Sequence, residues 1–339
     1  MKLFRISLLL FCVMFFSSCI AERGDRDCYG RFTLYFEYKP TAANPNTVAT
    51  FLQHVHMVDV FVFDQAGTLA YYRPSVNQAD MRPTRGGTRS GNPGIDLPVG
   101  SGAGQLSPGG RYRVVVWGNA DRQRNSFGNP TQLNAARIGT APDGGTPLHF
   151  GPGSLRAEST EAFWIDIPQV TDEHYAVMEF SRAHIEIQVF VVGAAQTPTV
   201  NLNGVFDGIN FDNEVSTSRI PFNQLADTNR PTPTVPGREA RQAAFASFYV
   251  PLFEETDHGK LLVIENSNGV LENGIIRLSD IIAGTTPDNI NVGRPARIRL
   301  ADTNVPVENV QIVLEVDNEI IVGIWLPGWI HNATDPGLG

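Results

Sequence analysis

Several groups of polar side chains have spacings that could bind a metal ion or perform acid–base chemistry. His54 and His56 stand two residues apart, so on a β-strand they would share a face and could both ligate a metal. The segment from Asp207 to Glu214 is rich in carboxylate and amide oxygens, which are the ligands that calcium prefers. Glu254 and Glu255 are adjacent carboxylates of the kind that acid–base catalysis uses in pairs.

None of these groups makes a complete site. No third ligand stands near the two histidines, and they would diverge if residues 47–57 formed a helix. The spacing within 207–214 departs from a calcium-binding EF-hand loop, and turns use the same residue types. Adjacent glutamates point to opposite faces of a strand. The sequence also lacks a Gly-x-Ser-x-Gly nucleophile motif. We therefore predict no catalytic residue, no cofactor and no metal.

The thiol of Cys19 has the most specific chemical context in the chain. Two basic residues precede an apolar run over residues 6–16, and Ser17 and Ser18 then lead directly into the cysteine. This order is typical of a secretory signal, and the run is shorter than the roughly 20 apolar residues that span a membrane. A cysteine at this place resembles a bacterial lipobox, which implies that Cys19 receives a diacylglycerol and becomes the new N-terminus. The alternative is a secreted protein that is cut nearby, with Cys19 incidental.

Lipidation of Cys19 would anchor the chain in a membrane. Each buried methylene contributes about 0.8 kcal/mol, so two or three acyl chains on one residue hold almost permanently. Ile20 follows the cysteine, in place of the aspartate that commonly retains lipoproteins in the inner membrane. The acidic residues that come next weakly resemble surface-export signals in Bacteroides-type lipoproteins. We expect a signal peptide over 1–18, a lipidated tether over 19–30, and exposure on the outer membrane.

Composition narrows the possible partners and the fold. The formal net charge is −9 at pH 7, which argues against binding nucleic acid or anionic lipid surfaces. With Cys19 assigned to lipid, Cys28 is the other cysteine beyond the signal, so a disulfide-stapled scaffold is excluded. A chain of 339 residues is long enough for about two domains.

The apolar residues mostly alternate with a period of two, which predicts an all-β protein. We expect two β-sandwiches, over residues 31–180 and 181–339, that meet near residue 180. A short helix is an option for 47–57, short helices are also possible near Leu133, and long loops are expected over 82–110 and 211–244. Strands are predicted at 31–38, 58–63, 69–72, 111–117, 163–167, 175–180, 183–192, 200–206, 246–253, 260–265, 275–278, 297–300, 310–316 and 319–326.

Five features in order along the chain resemble one known family. They are Cys28 nine residues after Cys19, the segment from Val58 to Asp64, the Tyr112 to Asn119 segment with its Trp-Gly-Asn ending, Arg182 before an apolar strand, and a final apolar strand with tryptophans. Together they look like the anchor (FimB-like minor fimbrillin) family of Bacteroides-type pili. The resemblance covers nearly the whole mature chain.

The resemblance implies a structural lipoprotein that roots a fimbria in the outer membrane and consists of two transthyretin-like β-sandwiches. In the related stalk subunits a protease removes the first strand, and a neighbour's C-terminal strand fills the groove. The anchor keeps its first strand, because that strand connects to the lipid. The implied partners are the outer membrane and the fimbrial stalk subunits.

The last predicted strand is the candidate donor to the stalk. Strict alternation would place Ile320, Val322 and Ile324 on one face, with Ile321 and Trp325 on the other. Strand addition would supply main-chain hydrogen bonds and side-chain specificity. The alternative is that 319–330 forms the last core strand of its own sandwich. For the whole chain, the alternatives are a surface adhesin or tip subunit that binds carbohydrate or a host ligand, and a surface glycosidase, which would need paired carboxylates about 5–10 Å apart.

Overall fold

The fold is nearly all β-strand, with two short α-helices. The computed structural model describes residues 31–39, 45–82, 91–120, 125–139, 148–156, 164–169, 173–212, 214–233, 239–251, 259–283, 291–292 and 309–325. Within these ranges, the helices are too short or too polar to cross a membrane.

The strands are β1 (Arg31–Tyr38), β2 (Met57–Phe63), β3 (Leu69–Asn77), β4 (Gly94–Leu97), β5 (Arg111–Gly118), β6 (Phe127–Gly128), β7 (Arg137–Gly139), β8 (His149–Arg156), β9 (Trp164–Asp166), β10 (Glu173–Arg182), β11 (His184–Val192), β12 (Thr199–Phe206), β13 (Gly208–Asn210), β14 (Arg219–Leu225), β15 (Thr228–Pro231), β16 (Gln242–Pro251), β17 (Leu261–Asn266), β18 (Gly269–Arg277), β19 (Asn291–Val292), β20 (Asn309–Asp317) and β21 (Ile320–Trp325). The helices are α1 (Thr47–His54) and α2 (Leu278–Ala283). The Asn46 side chain caps α1 by accepting a hydrogen bond from the Ala49 amide at 3.0 Å.

The first sheet has the strand order β3-β2-β5-β8-β10-β1-β4, with β9 also paired to β5. Its inner face forms a core with side chains from both ends of this order, which requires the sheet to fold over on itself. Strand β2 is buried on both faces, because Val60 and Val62 enter this core while Phe61 and Phe63 enter a second apolar cluster. The near-continuous apolar sequence of β2 follows from this double burial.

The second sheet has the order β14-β12-β17-β18-β21-β20-β11-β16-β15, with β19 also paired to β21. The strands at its two ends, β14 and β15, are separated in the chain only by Ala226 and Asp227. The sheet must therefore curl until its ends meet, and it encloses a core that includes Ile187, Phe222 and Leu314. The edge position of β14 also accommodates Pro221, which cannot donate to a ladder.

A third, small sheet connects the two halves of the chain. Its order is β13-β7-β6, and β13 follows β12 of the second sheet whereas β7 precedes β8 of the first. Ile209 pairs with Ile138 in this ladder. The two sandwiches are thus joined by hydrogen-bonded strands as well as by the single residue between β10 and β11.

The fold class is as predicted, but several local expectations were wrong. The loop expected over 82–110 contains β4, and β6, β7 and β8 lie where no strand was expected. The loop expected over 211–244 contains β14, β15 and the first residues of β16. Most of these strands are short or at sheet edges, and the longer interior strand β8 is interrupted by glycine and proline, so their sequences lack a strong apolar alternation. The strand expected at 297–300 lies outside the described residues.

Candidate functional site

The first strand lies in the interior of the first sheet. β1 pairs in parallel with β10 over its whole length, from Arg31 opposite Glu173 to Tyr38 opposite Phe180. Its other edge pairs antiparallel with β4. All side chains from Phe32 to Tyr38 are buried. Removal of β1 would therefore open a groove between β10 and β4 and expose the centre of the core.

Polar contacts also hold β1 in place. The Thr33 hydroxyl donates to the Asp96 carboxylate at 2.8 Å, and the Thr47 hydroxyl donates to Glu37 Oε2 at 3.1 Å. Phe36 packs against Phe51 of α1, with ring centroids 5.6 Å apart. Cys19, Cys28 and the rest of the tether lie outside the described residues, so the lipidation of Cys19 stays a prediction.

The candidate donor strand β21 is paired within its own sheet. One edge runs antiparallel to β20. The other edge contacts β18 at Ile320 and β19 at Gly323 and Ile324. Because both edges are occupied, β21 could join another subunit only by leaving these neighbours.

The expected alternation of side chains along β21 was wrong. Ile321 and Ile324 are both fully buried in the second core, whereas Val322 is 42% exposed and Ile320 is half-buried. The cause is a register shift in the β20–β21 ladder between Glu315 and Val316, which breaks the period of two. The backbone of Trp325 ends the strand, and its side chain is outside the described part.

The junction between the sandwiches brings His54 near His149 and contains His184, and the sequence singled out neither of the last two. His149 begins β8 and lies opposite Arg182 of β10, while His184 begins β11. The Tyr38 hydroxyl lies 3.1 Å from His149 Nδ1, and the ring of His54 is 6.1 Å from that of His149. His149 Nε2 and both ring nitrogens of His184 are buried without a hydrogen-bond partner.

This environment favours neutral imidazoles. Burial, together with the positive charge of Arg182 and the neighbouring histidines, lowers the pKa of His149 to about 3. Burial also lowers the pKa of His184 to about 3, with Arg182 acting in the same direction. Both side chains therefore resist protonation as long as the junction stays folded.

A hairpin arm, residues 207–218, reaches from the second sandwich onto the first. It is closed by main-chain hydrogen bonds, including Asp207 N–H to the Ser218 carbonyl at 3.0 Å and Ser216 N–H to the Gly208 carbonyl at 2.9 Å. Phe211 near its tip is fully buried. Its ring centroid lies 4.9 Å from that of Phe61 and 6.0 Å from that of Trp117.

The oxygen atoms that the sequence offers as calcium ligands have other partners in this arm. Asn210 Oδ1 accepts from the Asp212 and Glu214 amides at 2.9 and 2.8 Å, which forms a turn. Arg113 forms an ion pair with Asp212, and Arg137 lies 3.8 Å from Asp207. Across the described ranges, no three His, Cys, Asp or Glu side chains are grouped so as to hold a metal ion. His56 is exposed, while His54 faces Tyr38 and His149.

Sequence reasoning missed the arm and the buried histidines. A signal for the arm was present in the alternation of Ile209 and Phe211 within an otherwise polar segment, which is typical of a strand that buries one face. Nothing in the sequence marks His149 and His184 as neighbours, because only the pairing of β8 with β10 brings them to the same junction.

Comparisons with known proteins found one matching family model and several solved structures with a similar fold. The family model of fimbrillin-A associated anchor proteins Mfa1 and Mfa2 matches residues 25–333. A search of curated protein sequences found no match.

Solved structures with the same fold come from Porphyromonas and Bacteroides species. The fimbrial anchor protein Mfa2 from Porphyromonas gingivalis is 13% identical with a TM-score of 0.53, over 89% of this chain and 98% of that chain. A protein proposed to be an adhesin, from Bacteroides ovatus, is 15% identical with a TM-score of 0.56, over 88% and 92%. A protein proposed to bind polysaccharide, from Bacteroides thetaiotaomicron, is 13% identical with a TM-score of 0.55, over 89% and 97%.

Proposed function

The chain belongs to the family of fimbrillin-A associated anchor proteins Mfa1 and Mfa2, and from this premise we propose that it is the outer-membrane anchor of a fimbria. Membership gives it a fimbrial anchor or adhesin role in the cell envelope. In the proposal, acyl chains on Cys19 hold the protein in the membrane, the tether 19–30 carries it at the surface, and the second sandwich joins the stalk. The two sandwiches correspond to residues 31–180 and 181–339.

The buried position of β1 is the observation that most supports an anchor. β1 is paired on both edges and fills the core of the uncleaved chain, so a subunit that keeps this strand needs no strand from a neighbour at this position. Burial of Phe32, Leu34 and Phe36 alone contributes about 5–9 kcal/mol, at about 1.5–3 kcal/mol for each side chain. Keeping β1 also keeps the folded sandwich covalently connected to the lipid.

Attachment to the stalk occurs, in this proposal, by β-strand addition from β21, with Ile320, Val322, Ile324 and Trp325 as the donor side chains. Donation would remove Ile321 and Ile324 from the second core, so the stalk must offer an equivalent set of hydrogen bonds and apolar contacts. The ladder between β21 and its own sheet is then replaced by a ladder of similar strength with the stalk subunit, so few main-chain hydrogen bonds are lost overall.

A reversible disulfide lock tests the donor role without deleting core residues. Glu315 of β20 lies directly opposite Gly323 of β21, and neither is a donor side chain, so cysteines at both positions would fix β21 to its own sheet. In a Cys28→Ser background, we expect the oxidised variant to fold but not to hold stalk subunits. The same variant after reduction should hold them. Equal attachment in both states would show that β21 does not leave its sheet.

Mass spectrometry of the N-terminal peptide from outer-membrane preparations tests the anchor role. We expect an acylated Cys19 followed by intact residues 20–38, with stalk subunits in the same fraction. An unlipidated N-terminus near Phe32 would mean that β1 has been removed, and would favour the alternative role as a tip subunit or adhesin.

A further inference from the structure

We infer that the hairpin arm 207–218 locks the two β-sandwiches into one cooperative unit with a fixed relative orientation. A single residue, Ala183, separates β10 from β11, and one backbone connection by itself leaves freedom to swing. The arm supplies a second connection between the same two bodies. Two attachments remove the rotation that one would permit.

The arm binds the first sandwich through both main chain and side chains. In the β13–β7 ladder, Gly208, Ile209 and Asn210 pair with Gly139, Ile138 and Arg137. The approach at Gly208 is so close that an added Cβ atom would lie 2.5 Å from the Ile138 carbonyl oxygen, so this position requires glycine. The Phe211 amide also donates to the Ala136 carbonyl at 3.3 Å.

The arm is also part of the apolar cluster on the outer face of the first sheet. Ile209 and Phe211 pack with Phe61, Phe63, Val115 and Trp117, and these side chains are all at most 2% exposed. Ala183 between β10 and β11 belongs to the same cluster. Because the backbone connection and the arm share one set of buried contacts, movement of either sandwich must break that set as a whole.

The arm contributes little to the core of its own sandwich. The second core takes Leu202 and Val205 from β12 and Phe222 from β14, but neither Ile209 nor Phe211. The connection between β12 and β14 is therefore longer than the second sandwich needs, and its extra residues cover the first sandwich. Since Phe206 and Arg219 lie directly opposite each other in the β12–β14 ladder, a two-residue Asn-Gly turn could close the same hairpin without the arm.

The experiment compares the full chain with a variant in which Asn-Gly replaces 207–218, and with Phe211→Ala. Calorimetry should give one unfolding transition for the unaltered chain, and hydrogen exchange should give one common opening free energy for the Val62 and Val189 amides. We expect Phe211→Ala to separate the transitions by about 10 °C. The arm replacement should separate them further and make the two amides exchange independently.

Phe222→Ala is the matched control, because Phe222 is a fully buried phenylalanine of the second core that does not contact the first sandwich's cluster. It should lower the unfolding temperature and retain coupled exchange. Two transitions in the unaltered chain, or one unchanged transition in Phe211→Ala, would overturn the inference. If the arm replacement does not fold, Phe211→Ala still decides the outcome.

Discussion

Acid should destabilise this protein steeply, because two buried histidines at the sandwich junction must take up protons when the chain unfolds. His149 and His184 have pKa values of about 3 in the folded state, against about 6.5 in an unfolded chain. A lowered folded-state pKa means that the stabilising contribution is fully present above pH 6.5. It is lost as the pH falls from there towards 3.

The size of the effect follows from proton linkage. Well inside this window each histidine binds about one more proton in the unfolded state, which changes the free energy of unfolding by about 1.4 kcal/mol per pH unit. Two such groups give about 2.7 kcal/mol per pH unit. Between about pH 5.5 and pH 4 the loss is therefore about 4 kcal/mol, which is a large part of a typical domain stability of about 5–15 kcal/mol.

Urea unfolding at intervals from pH 4 to pH 8, followed by tryptophan fluorescence, would measure this slope. Trp117 is fully buried and reports on the apolar cluster next to the junction. The titration of carboxylates also changes the free energy of unfolding with pH, and it does so equally in all variants. The informative quantity is therefore the difference between variants in the slope of this free energy against pH. The double variant His149→Gln/His184→Gln should lose most of the histidine contribution, whereas the exposed His56→Gln should retain it.

Parallel curves for the unaltered chain and the double variant between pH 4 and pH 6 would refute this reasoning. Such a result would mean that the two imidazoles already reach solvent or an acidic partner in the folded state. A uniform loss of stability at all pH values, without a change in slope, would identify a packing role alone.

Three further predictions concern the anchor and its fold. Cys19→Ala should leave fimbriae assembled but shed into the medium, and unchanged cell-bound fimbriae would contradict the anchoring role. Asn119→Ala should lower the free energy of unfolding in urea by about 2–4 kcal/mol, because Asn119 has a φ of 61° and its side chain accepts from the His56 amide at 2.8 Å and donates to the His54 carbonyl at 2.7 Å. Asn119→Gly should lower it by less, because glycine adopts this φ without strain. An equal loss in the two variants would exclude backbone strain as a cause. Leu34→Asp should prevent stable folding of the first sandwich, as seen by circular dichroism, and a normal unfolding curve would show that β1 is dispensable.

The strongly apolar elements and the family were predictable from the sequence. β1, the β2–β3 hairpin, β5 and β11 all combine alternation with β-branched or aromatic residues, and the structure places a strand at each. The family resemblance, confirmed by the match over residues 25–333, rested on the order of such segments. The Trp-Gly-Asn ending of β5 now has a physical basis, since a Cβ atom on Gly118 would lie 3.0 Å from Val55 and 3.1 Å from His149.

The contacts between distant segments were not predictable in the same way. The burial of Phe211 depends on Phe61 and Trp117, which lie far away in the sequence, and the polar residues around Phe211 favour a turn. The faces of β21 depend on a register shift in the β20–β21 ladder, where Val322 has no partner. In both cases the local sequence is compatible with several arrangements, and tertiary packing selects one.

The parallel pairing of β1 with β10 has a mechanical consequence in the proposed anchor role, in which the protein is pulled between a membrane and a fimbria. The tether would pull on β1 at its Arg31 end, while β10 continues at Arg182 towards β11 and so is pulled from its opposite end. Two parallel strands drawn apart in this way are loaded in shear, so the whole ladder resists at once and does not unzip pair by pair. The pairing of β11 with β20 repeats this geometry in the second sandwich, where the force would enter at His184 and leave beyond Asp317.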